Sequence, residues 1–245
     1  MKRLSVRNGR YYYSLSRYSL LRVLSFESFA GYFREAPAGE VALDYGAGDR
    51  PYEEMVRTKY ARYVAVDHVA TRSGYGGKAP DILLNGESLP LEDVSVDCVI
   101  LTEVLEHIYD PGPVLKDLIR VLKPGGTILG TVPFAIQLHD EPYDYHRYTC
   151  YSLREMFVKS GLHIKHLNYV GDMVAVGITV SVSILDLLPK GLEKVHMRLL
   201  ATALRRIFRL PLFGYYYACK LGFNPSKVRY FKRYPLGFTF CCTKP

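Results

Sequence analysis

Residues 41–48 read Val-Ala-Leu-Asp-Tyr-Gly-Ala-Gly, an apolar run followed at once by an acidic residue and two alternating glycines. Glycine lacks a Cβ atom, so Gly46 and Gly48 allow the backbone to turn sharply and to approach a ligand closely. A helix that follows such a turn points its N-terminal amides at the same ligand. Open α/β sheets hold nucleotide-like ligands in this way at the carboxyl ends of their strands. The stretch therefore predicts a strand, a ligand-binding loop and an α/β fold.

Short apolar runs recur on both sides of this stretch and alternate with helix-like segments. The predicted strands cover residues 41–43, 63–66, 82–84, 96–101, 127–132, 162–169 and 237–243. The predicted helices of the core cover residues 18–33, 52–60, 103–108, 113–122 and 151–160. Strands that alternate with helices are typical of a parallel sheet covered on both faces. We therefore predict a doubly wound, mostly parallel seven-stranded sheet with a helical insert before the last strand.

Charge is distributed unevenly along the 245 residues, whose formal net charge is +8. Residues 1–34 contain seven Lys and Arg against one acidic residue, and residues 190–245 contain twelve against one. Basic ends around an acidic body favour an anionic surface partner, either a membrane or nucleic acid. We divide the chain into a basic helical N-terminal segment (1–39), a ligand-binding core (40–171), a helical amphipathic insert (172–235) and a closing strand of the core (236–245).

The predicted insert has its own pattern. Residues 173–188 are nearly all apolar, but Asp186 interrupts them. A membrane-spanning helix needs about 20 apolar residues, so we predict a buried or interfacial helix. Residues 196–210 place apolar side chains on one helical face and cations on another, as in a basic amphipathic helix. Such a helix fits a membrane surface, a lid over a pocket or a dimer interface.

The cellular compartment is predicted from cysteine usage and from the N-terminus. The five cysteines form no Cys-x-x-Cys pair, and the first 34 residues have no long apolar core of the kind found in signal peptides. Both features favour a reducing, cytoplasmic location. The inner face of the membrane is then the surface that the insert would reach.

Further blocks follow the glycine loop at regular distances. Asp67 ends the second predicted strand 19 residues after Gly48, where an acid can accept hydrogen bonds from two ribose hydroxyls. Residues 85–91 read Asn-Gly-Glu-Ser-Leu-Pro-Leu, residues 96–107 read Val-Asp-Cys-Val-Ile-Leu-Thr-Glu-Val-Leu-Glu-His, and residues 121–129 read Val-Leu-Lys-Pro-Gly-Gly-Thr-Ile-Leu. Nicotinamide oxidoreductases share the glycine loop and the acid after the second strand, but their sequence fingerprint does not include the Leu-Pro-Leu and Lys-Pro-Gly-Gly blocks. They are therefore a less favoured class.

Taken in this order, the blocks resemble the class I S-adenosylmethionine-dependent methyltransferases, in particular the methyltransferase type 11-like branch, over about residues 41–132. The resemblance implies a Rossmann-like methyltransferase fold and S-adenosyl-L-methionine as cofactor. It places Asp44, Gly46 and Gly48 under the methionine part, Asp67 on the ribose, Asn85 and Gly86 beside the adenine, and Thr102 and Glu103 near the transferred methyl group.

The sequence departs from the family pattern at two positions. Arg50 stands where a third loop glycine is common, and Asn85 stands where an acid often holds the adenine. An amide can still hydrogen-bond an adenine edge. The two departures nevertheless leave open a non-catalytic protein that binds S-adenosylmethionine.

Residues 133–149 follow the fifth predicted strand, where a substrate would lie, and they are rich in His, Asp, Tyr and Arg. We interpret His139 as the catalytic base, Asp144 as the residue that orients its imidazole, and Arg147 as a clamp for an anionic group such as a phosphate. In the alternative interpretation, Asp144 and Arg147 form an ion pair that only shapes the loop.

A histidine also ends the fourth-strand block. His107 follows Glu103 by four residues, one turn of a helix, and such a pair could bind a metal ion. No third ligand is evident in the sequence, so we assign no metal. His107 is then either part of the substrate mouth or inert.

These observations favour an enzyme that methylates an oxygen of a small-molecule, saccharide or lipid-linked acceptor at a membrane surface. The first alternative is an RNA methyltransferase, because basic ends and clustered tyrosines suit nucleic acid. Nucleic acid is the weaker choice of partner, because the sequence contains no recognisable RNA-binding module. The second alternative is the non-catalytic S-adenosylmethionine-binding protein. The sequence does not determine the oligomeric state.

Overall fold

The computed structural model describes residues 4–7, 10–13, 20–69, 79–86, 88–185, 198–228 and 230–245. Its helices are α1 (Leu20–Glu35), α2 (Glu53–Val56), α3 (Pro111–Val121), α4 (Cys150–Lys159), α5 (Met173–Leu185), α6 (Arg198–Phe208) and α7 (Leu210–Lys220). Its strands are β1 (Leu4–Arg7), β2 (Arg10–Tyr13), β3 (Gly39–Tyr45), β4 (Tyr60–His68), β5 (Ile82–Leu84), β6 (Val96–Thr102), β7 (Leu122–Pro133), β8 (His163–Val170) and β9 (Gly237–Thr243). Short 3-10 turns cover Leu105–His107, Pro225–Lys227 and Phe231–Arg233.

Strands β3 to β9 form one sheet in the order β5-β4-β3-β6-β7-β9-β8. Strands β3 to β7 pair in parallel, and β9 is antiparallel to both of its neighbours. This arrangement confirms the predicted doubly wound, seven-stranded sheet. The chain runs outward from β3 to β4 and β5 and then returns to β6 on the other side of β3. Ligands of open α/β sheets bind at such a switch point, outside the carboxyl ends of the strands.

Helices cover both faces of the sheet because each presents an apolar stripe to it. On one face, α3 and α4 bury Leu115, Leu118, Leu153 and Phe157. On the other face, α1 and α2 bury Phe26, Phe29, Phe33, Met55 and Val56. Each such side chain contributes about 1.5–3 kcal/mol relative to an exposed position. Helix α1 therefore packs directly on the sheet and forms part of the helical layer on that face.

The N-terminal segment differs from the helical segment predicted for residues 1–39. Strands β1 and β2 pair antiparallel as a hairpin ahead of α1, with Leu4 opposite Tyr13. The helix predicted over residues 18–33 corresponds to α1, although residues 18 and 19 lie outside the described part of the chain. The division of the chain at residue 39 stays a prediction.

Two predicted core helices are wrong in extent. Of residues 52–60, only α2 is helical, because Tyr60 already pairs with Gly39 at the start of β4. Of residues 103–108, only a 3-10 turn forms. The reason is that Glu103 has φ +53° and its amide donates to the Thr131 carbonyl at 2.8 Å, which ends β6 with a turn.

The insert packs on the first turn of α1. Leu20 and Leu21 share an apolar cluster with Ala175 of α5 and Leu212 of α7. Asp172 caps α5 by accepting the amides of residues 174 and 175 at 3.0 and 3.2 Å, and its second oxygen accepts the Tyr215 hydroxyl of α7 at 2.9 Å. Residues 186–197 lie outside the described residues, so the ends predicted for the two insert helices at 188 and 196 lie there as well. Within the described ranges, every helix is too short or too polar to cross a membrane.

Candidate active site

The loop after β3 turns sharply over the end of β4. The amides of Gly46 and Ala47 both donate to the Val66 carbonyl, at 2.8 and 3.0 Å. Gly46 has φ +75°, and a Cβ atom there would lie 2.4 Å from Val104 Cγ2. Gly48 has φ +50°, but a Cβ atom there would meet no heavy atom within 4 Å. Gly46 is therefore required for packing, whereas the loop is open at Gly48.

Asp67 lies against this open part of the loop. Its Oδ2 accepts the Gly48 amide at 2.9 Å, its Oδ1 accepts the His68 amide at 2.8 Å, and the residue is 7% exposed. The carboxylate that closes β4 and the glycine loop that closes β3 thus form a single unit at the switch point.

Arg50 takes the place of the third glycine and adopts the same kind of backbone conformation. Its φ is +55°, in the left-handed region that glycine usually supplies. Its side chain holds it there by donating to Asp81 Oδ1 at 2.7 Å and to the Ala79 carbonyl. The departure from the family pattern therefore leaves the loop turn intact.

Asp44 lies beneath the loop rather than at its surface. It is 1% exposed, and the Tyr63 hydroxyl donates to its Oδ2 at 2.5 Å. Burial raises the pKa of the Asp44 carboxyl to about 7, because the charged form is poorly solvated there. The carboxyl is thus only partly ionised at neutral pH unless a cation lies nearby.

We expect Asp44→Asn to remove one source of pH-dependent stability. The pKa of Asp44 is about 7 in the folded protein, against 3.8 for an unperturbed aspartate such as that of the unfolded chain. Between these two pH values the folded protein retains a proton that the unfolded chain has lost. Stability therefore falls as the pH rises through this window and levels off above it. This carboxyl makes the wild type about 1.4 kcal/mol less stable at pH 8 than at pH 6.

Urea unfolding at the two pH values measures this effect. Asp44→Asn should lose the difference, whereas Asp93→Asn, at an exposed position, should retain it. An Asp44→Asn protein whose stability changes with pH as the wild type does would show that Asp44 does not titrate in this range.

The residues expected near adenine and the methyl group lie at the same edge of the sheet. Leu84 pairs with His68, so Asn85 and Gly86 follow β5 beside the end of β4, and both are exposed. Thr102 pairs with Thr131 at the end of β6. The structure thus brings these residues to the edge where Asp67 lies. Their roles toward a cofactor stay predictions.

Glu103 lies beside Thr102 in a constrained position. Its Oε1 accepts the Thr131 hydroxyl at 2.7 Å. Burial raises the pKa of the Glu103 carboxyl, and the Thr131 hydrogen bond and the charges of Arg22 and Arg147 oppose this change. Arg22 belongs to the first turn of α1. The helix against which the insert packs therefore also lies near Glu103.

The three residues predicted to be catalytic lie together in the loop after β7. The Asp144 carboxylate accepts the His139 amide at 3.0 Å and lies 3.3 Å from His139 Nδ1. Arg147 donates to both Asp144 oxygens, at 2.5 and 2.7 Å, and to the carbonyls of Gln137 and His146. These hydrogen bonds hold the pKa of Asp144 far below its usual range.

These contacts match the interpretation in which Arg147 shapes the loop, because its donors are used within the loop. Burial and the neighbouring His107 lower the pKa of His139, so its imidazole is neutral near pH 7. A neutral imidazole can accept a proton, and the catalytic assignment of His139, Asp144 and Arg147 stays a prediction.

The sequence pattern gave no sign of a role for Glu106, yet this residue lies at the centre of the region. It is fully buried, and its Oε1 lies 3.7 Å from His107 Nε2 and 3.9 Å from His139 Nε2. Its carbonyl accepts the amides of Tyr145 and His146 at 2.8 and 3.1 Å, which docks the loop after β7 on the 3-10 turn. Burial and the charge of Glu103 raise the pKa of the Glu106 carboxyl well above its usual range.

Comparisons with known proteins agree with this geometry. Residues 43–130 match the family described as a methyltransferase domain, methyltransferase type 11. A probable S-adenosylmethionine-dependent methyltransferase of Mycolicibacterium smegmatis is 31% identical over 100 residues, which cover 39% of this chain and 39% of that protein. The chain therefore spans less than two fifths of this curated relative.

Two solved structures show the same fold. An S-adenosylmethionine-dependent methyltransferase from Mesorhizobium loti aligns with a TM-score of 0.54 and 12% identity, over 92% of this chain and 100% of that chain. A putative sarcosine dimethylglycine methyltransferase from Galdieria sulphuraria aligns with a TM-score of 0.53 and 16% identity, over 91% and 86%. At these identities the similarity concerns the fold alone.

The seven-stranded sheet, with the glycine loop and Asp67 at its switch point, has the fold of the class I S-adenosylmethionine-dependent methyltransferases. Residues 43–130 resemble the methyltransferase type 11 domain, and the rest of the chain lies outside that match.

Proposed function

We propose that the protein is an S-adenosylmethionine-dependent methyltransferase that methylates an oxygen of a saccharide or lipid-linked acceptor at a membrane surface. The observation that carries the first part is the 2.9 Å hydrogen bond from the Gly48 amide to Asp67. It joins the cofactor loop to the ribose-binding carboxylate at the point where this fold binds ligands.

The residues at this edge fit the cofactor. Asp67 would hold the ribose hydroxyls through its carboxylate at the end of β4, and the loop is open at Gly48, where the backbone can approach the ligand closely. When bound, S-adenosylmethionine supplies the methyl group from its cationic sulfonium. Asp44 and Glu103 are acidic groups at this edge, and a bound cation would favour their ionised forms.

Transfer to oxygen requires that the acceptor hydroxyl lose its proton. The chain's own residues would hold that hydroxyl oxygen in line with the methyl group and accept its proton. His139 would take the hydroxyl proton at Nε2, and Asp144, which accepts the His139 backbone amide, would hold the residue in place. Much of the rate in such a reaction comes from positioning the two reactants in line.

The insert supports a membrane-surface acceptor. Leu200, Ile207 and Leu210 are 44%, 55% and 61% exposed, in or next to a helix that also carries arginines. Exposed apolar side chains combined with cations suit an anionic lipid surface. The insert packs through α5 and α7 on the first turn of α1, and the charge of Arg22 in that turn acts on the Glu103 carboxyl, so the insert is attached to a helix that reaches the site.

Calorimetry with S-adenosylmethionine tests the cofactor part of the proposal. We expect one molecule to bind per chain and the thermal midpoint of unfolding to rise, because a ligand that binds only the folded state stabilises it. Formation of S-adenosylhomocysteine on addition of a bacterial membrane lipid extract, followed by mass spectrometry, tests for transfer. Cofactor binding without turnover would favour the non-catalytic alternative, and absence of binding would exclude the enzyme.

The arginines of the insert provide a test of the membrane part. We expect a protein with Arg198, Arg205 and Arg209 all changed to Gln to bind vesicles of phosphatidylcholine and phosphatidylglycerol tenfold more weakly or worse. The reason is that each cation near an anionic surface contributes about 1 kcal/mol. Co-sedimentation measures the bound fraction.

A second triple variant, with Gln at Lys116, Arg154 and Lys159, removes the same charge from α3 and α4. It should bind these vesicles as the wild type does. Equal losses in both variants would indicate a general charge effect, and a wild type that never sediments with vesicles would exclude the membrane surface.

A further inference from the structure

We propose that Glu106, His107 and His139 form a binding site for a divalent transition-metal cation. The ligating atoms of these three side chains all lie within 4.8 Å of one another. The Glu106 Oε1 atom lies 3.7 Å from Nε2 of His107 and 3.9 Å from Nε2 of His139. Two ligands about 2.1 Å from a tetrahedral metal lie about 3.4 Å apart, so a small convergence of these side chains would complete the site.

The Glu106 carboxylate is the strongest evidence for a ligand at this place. The residue is fully buried, and neither of its carboxylate oxygens has a hydrogen-bond partner among the described residues. Buried polar groups in proteins are almost always satisfied, and a buried carboxylate without a partner costs several kcal/mol. A cation bound between Glu106 and the two imidazoles would supply the missing interaction.

The two histidines are oriented as metal ligands are. His107 Nδ1 lies 2.8 Å from the Tyr143 carbonyl oxygen, which can only accept, so the proton is on Nδ1 and the lone pair is on Nε2. His139 Nδ1 lies 3.3 Å from Asp144 Oδ2 but makes no hydrogen bond, and the other ring nitrogen, Nε2, lies 3.9 Å from Glu106 Oε1. Metal-bound histidines typically have such a carbonyl or carboxylate at the other ring nitrogen.

The ligand set indicates the class of cation. Two imidazoles and one carboxylate suit Zn²⁺, Mn²⁺, Fe²⁺ or Co²⁺, whereas Mg²⁺ and Ca²⁺ prefer oxygen ligands. Asp140 Oδ2 lies 3.9 Å from His107 Nε2 on an exposed side chain, and it could provide a further oxygen. Three protein ligands leave at least one position open, as in catalytic rather than structural metal sites.

A role for the open position rests on the proposed function. A cation there would bind the acceptor hydroxyl next to Glu103 and favour its ionisation, which is a known effect of metals on bound oxygens. The cation and a proton compete for the same lone pair on His139. In the metal-loaded protein, His139 would therefore hold the cation, and the acceptor proton would leave to solvent.

Metal titration of the untagged, chelator-treated protein tests the site. With ZnCl₂ and, separately, MnCl₂ in a calorimeter, we expect one cation to bind per chain. Glu106→Gln and His139→Gln should each weaken binding of the cation by about tenfold or more, because each variant loses a ligand. His163→Gln, which removes an exposed histidine of β8, is the matched control and should bind as the wild type does.

Other measurements keep the inference testable if one variant fails to fold. Visible absorption of the Co²⁺-loaded wild type reports the ligands directly, and His139→Gln should lose the bands of the loaded site. A wild type that binds no cation, or variants that bind as tightly as the wild type, would overturn the inference. Titration of the chelator-treated wild type with S-adenosylmethionine is a separate measurement, and a protein that binds S-adenosylmethionine but no added cation would overturn the metal site alone.

Discussion

Replacing Asp67 with alanine is expected to weaken S-adenosylmethionine binding by at least about 3 kcal/mol, or more than 100-fold. The carboxylate would accept hydrogen bonds from two ribose hydroxyls, and hydrogen bonds to a charged group contribute about 1.5–3 kcal/mol each. The substitution also frees the Gly48 amide that Asp67 Oδ2 now accepts at 2.9 Å, so the loop loses its anchor. Calorimetry of wild type and variant under the same conditions measures the change.

Two further variants make this result interpretable. Asp93→Ala removes an exposed aspartate before β6 and should leave the affinity unchanged. Asp67→Asn keeps the size of the side chain but not its charge, and it should fall between wild type and Asp67→Ala. An affinity unchanged in Asp67→Ala would show that this carboxylate does not hold the ribose, and the proposed cofactor site would then be wrong.

Gly130→Ala is expected to destabilise the fold by about 3 kcal/mol or more, among the largest costs of overpacking. Gly130 lies in the middle of β7, paired with Leu101 of β6 and Phe240 of β9. A Cβ atom there would lie 2.1 Å from the Leu101 carbonyl oxygen and 2.3 Å from Phe240 Cζ. The carbonyl belongs to the central ladder, so the strand itself would have to shift.

Thermal and urea unfolding measure this loss, with Gly214→Ala as the matched control. Gly214 lies within α7, and a Cβ atom there would meet no heavy atom within 4 Å. Alanine at that position should be neutral or stabilise by about 0.5–1 kcal/mol, because glycine is unfavourable inside a helix. Equal stabilities for the two variants would show that β7 can accommodate a side chain at Gly130.

The fold was predictable because its signals are local. Short apolar runs between turn residues marked every strand of the large sheet, and Asp67 could be placed because parallel neighbours end at one edge. The glycines at 46 and 48 also marked a real turn, since both have positive φ. Each of these signals depends on a few adjacent residues and on the periodicity of strands and helices.

Backbone conformations imposed from outside the segment were not predictable. Glu103 and Arg50 both have positive φ, which residues with a Cβ atom rarely adopt. Glu103 is held by Thr131 of the neighbouring strand, and Arg50 by Asp81 before β5. The helix predicted from Glu103 was wrong for this reason, and Arg50 gave no sign that it could take the place of glycine.

The sequence by itself determined where the seven strands of the large sheet lie along the chain, the glycine loop and the acid at the end of β4, because these depend on local pattern and spacing. Only the tertiary structure decided that Glu106 and His107 meet His139, which lies 32 residues after His107 on another loop. That meeting depends on the Tyr145 and His146 amides, which donate to the Glu106 carbonyl. A contact between distant loops is set by the packing of the whole sheet. It therefore cannot be predicted from short stretches of sequence.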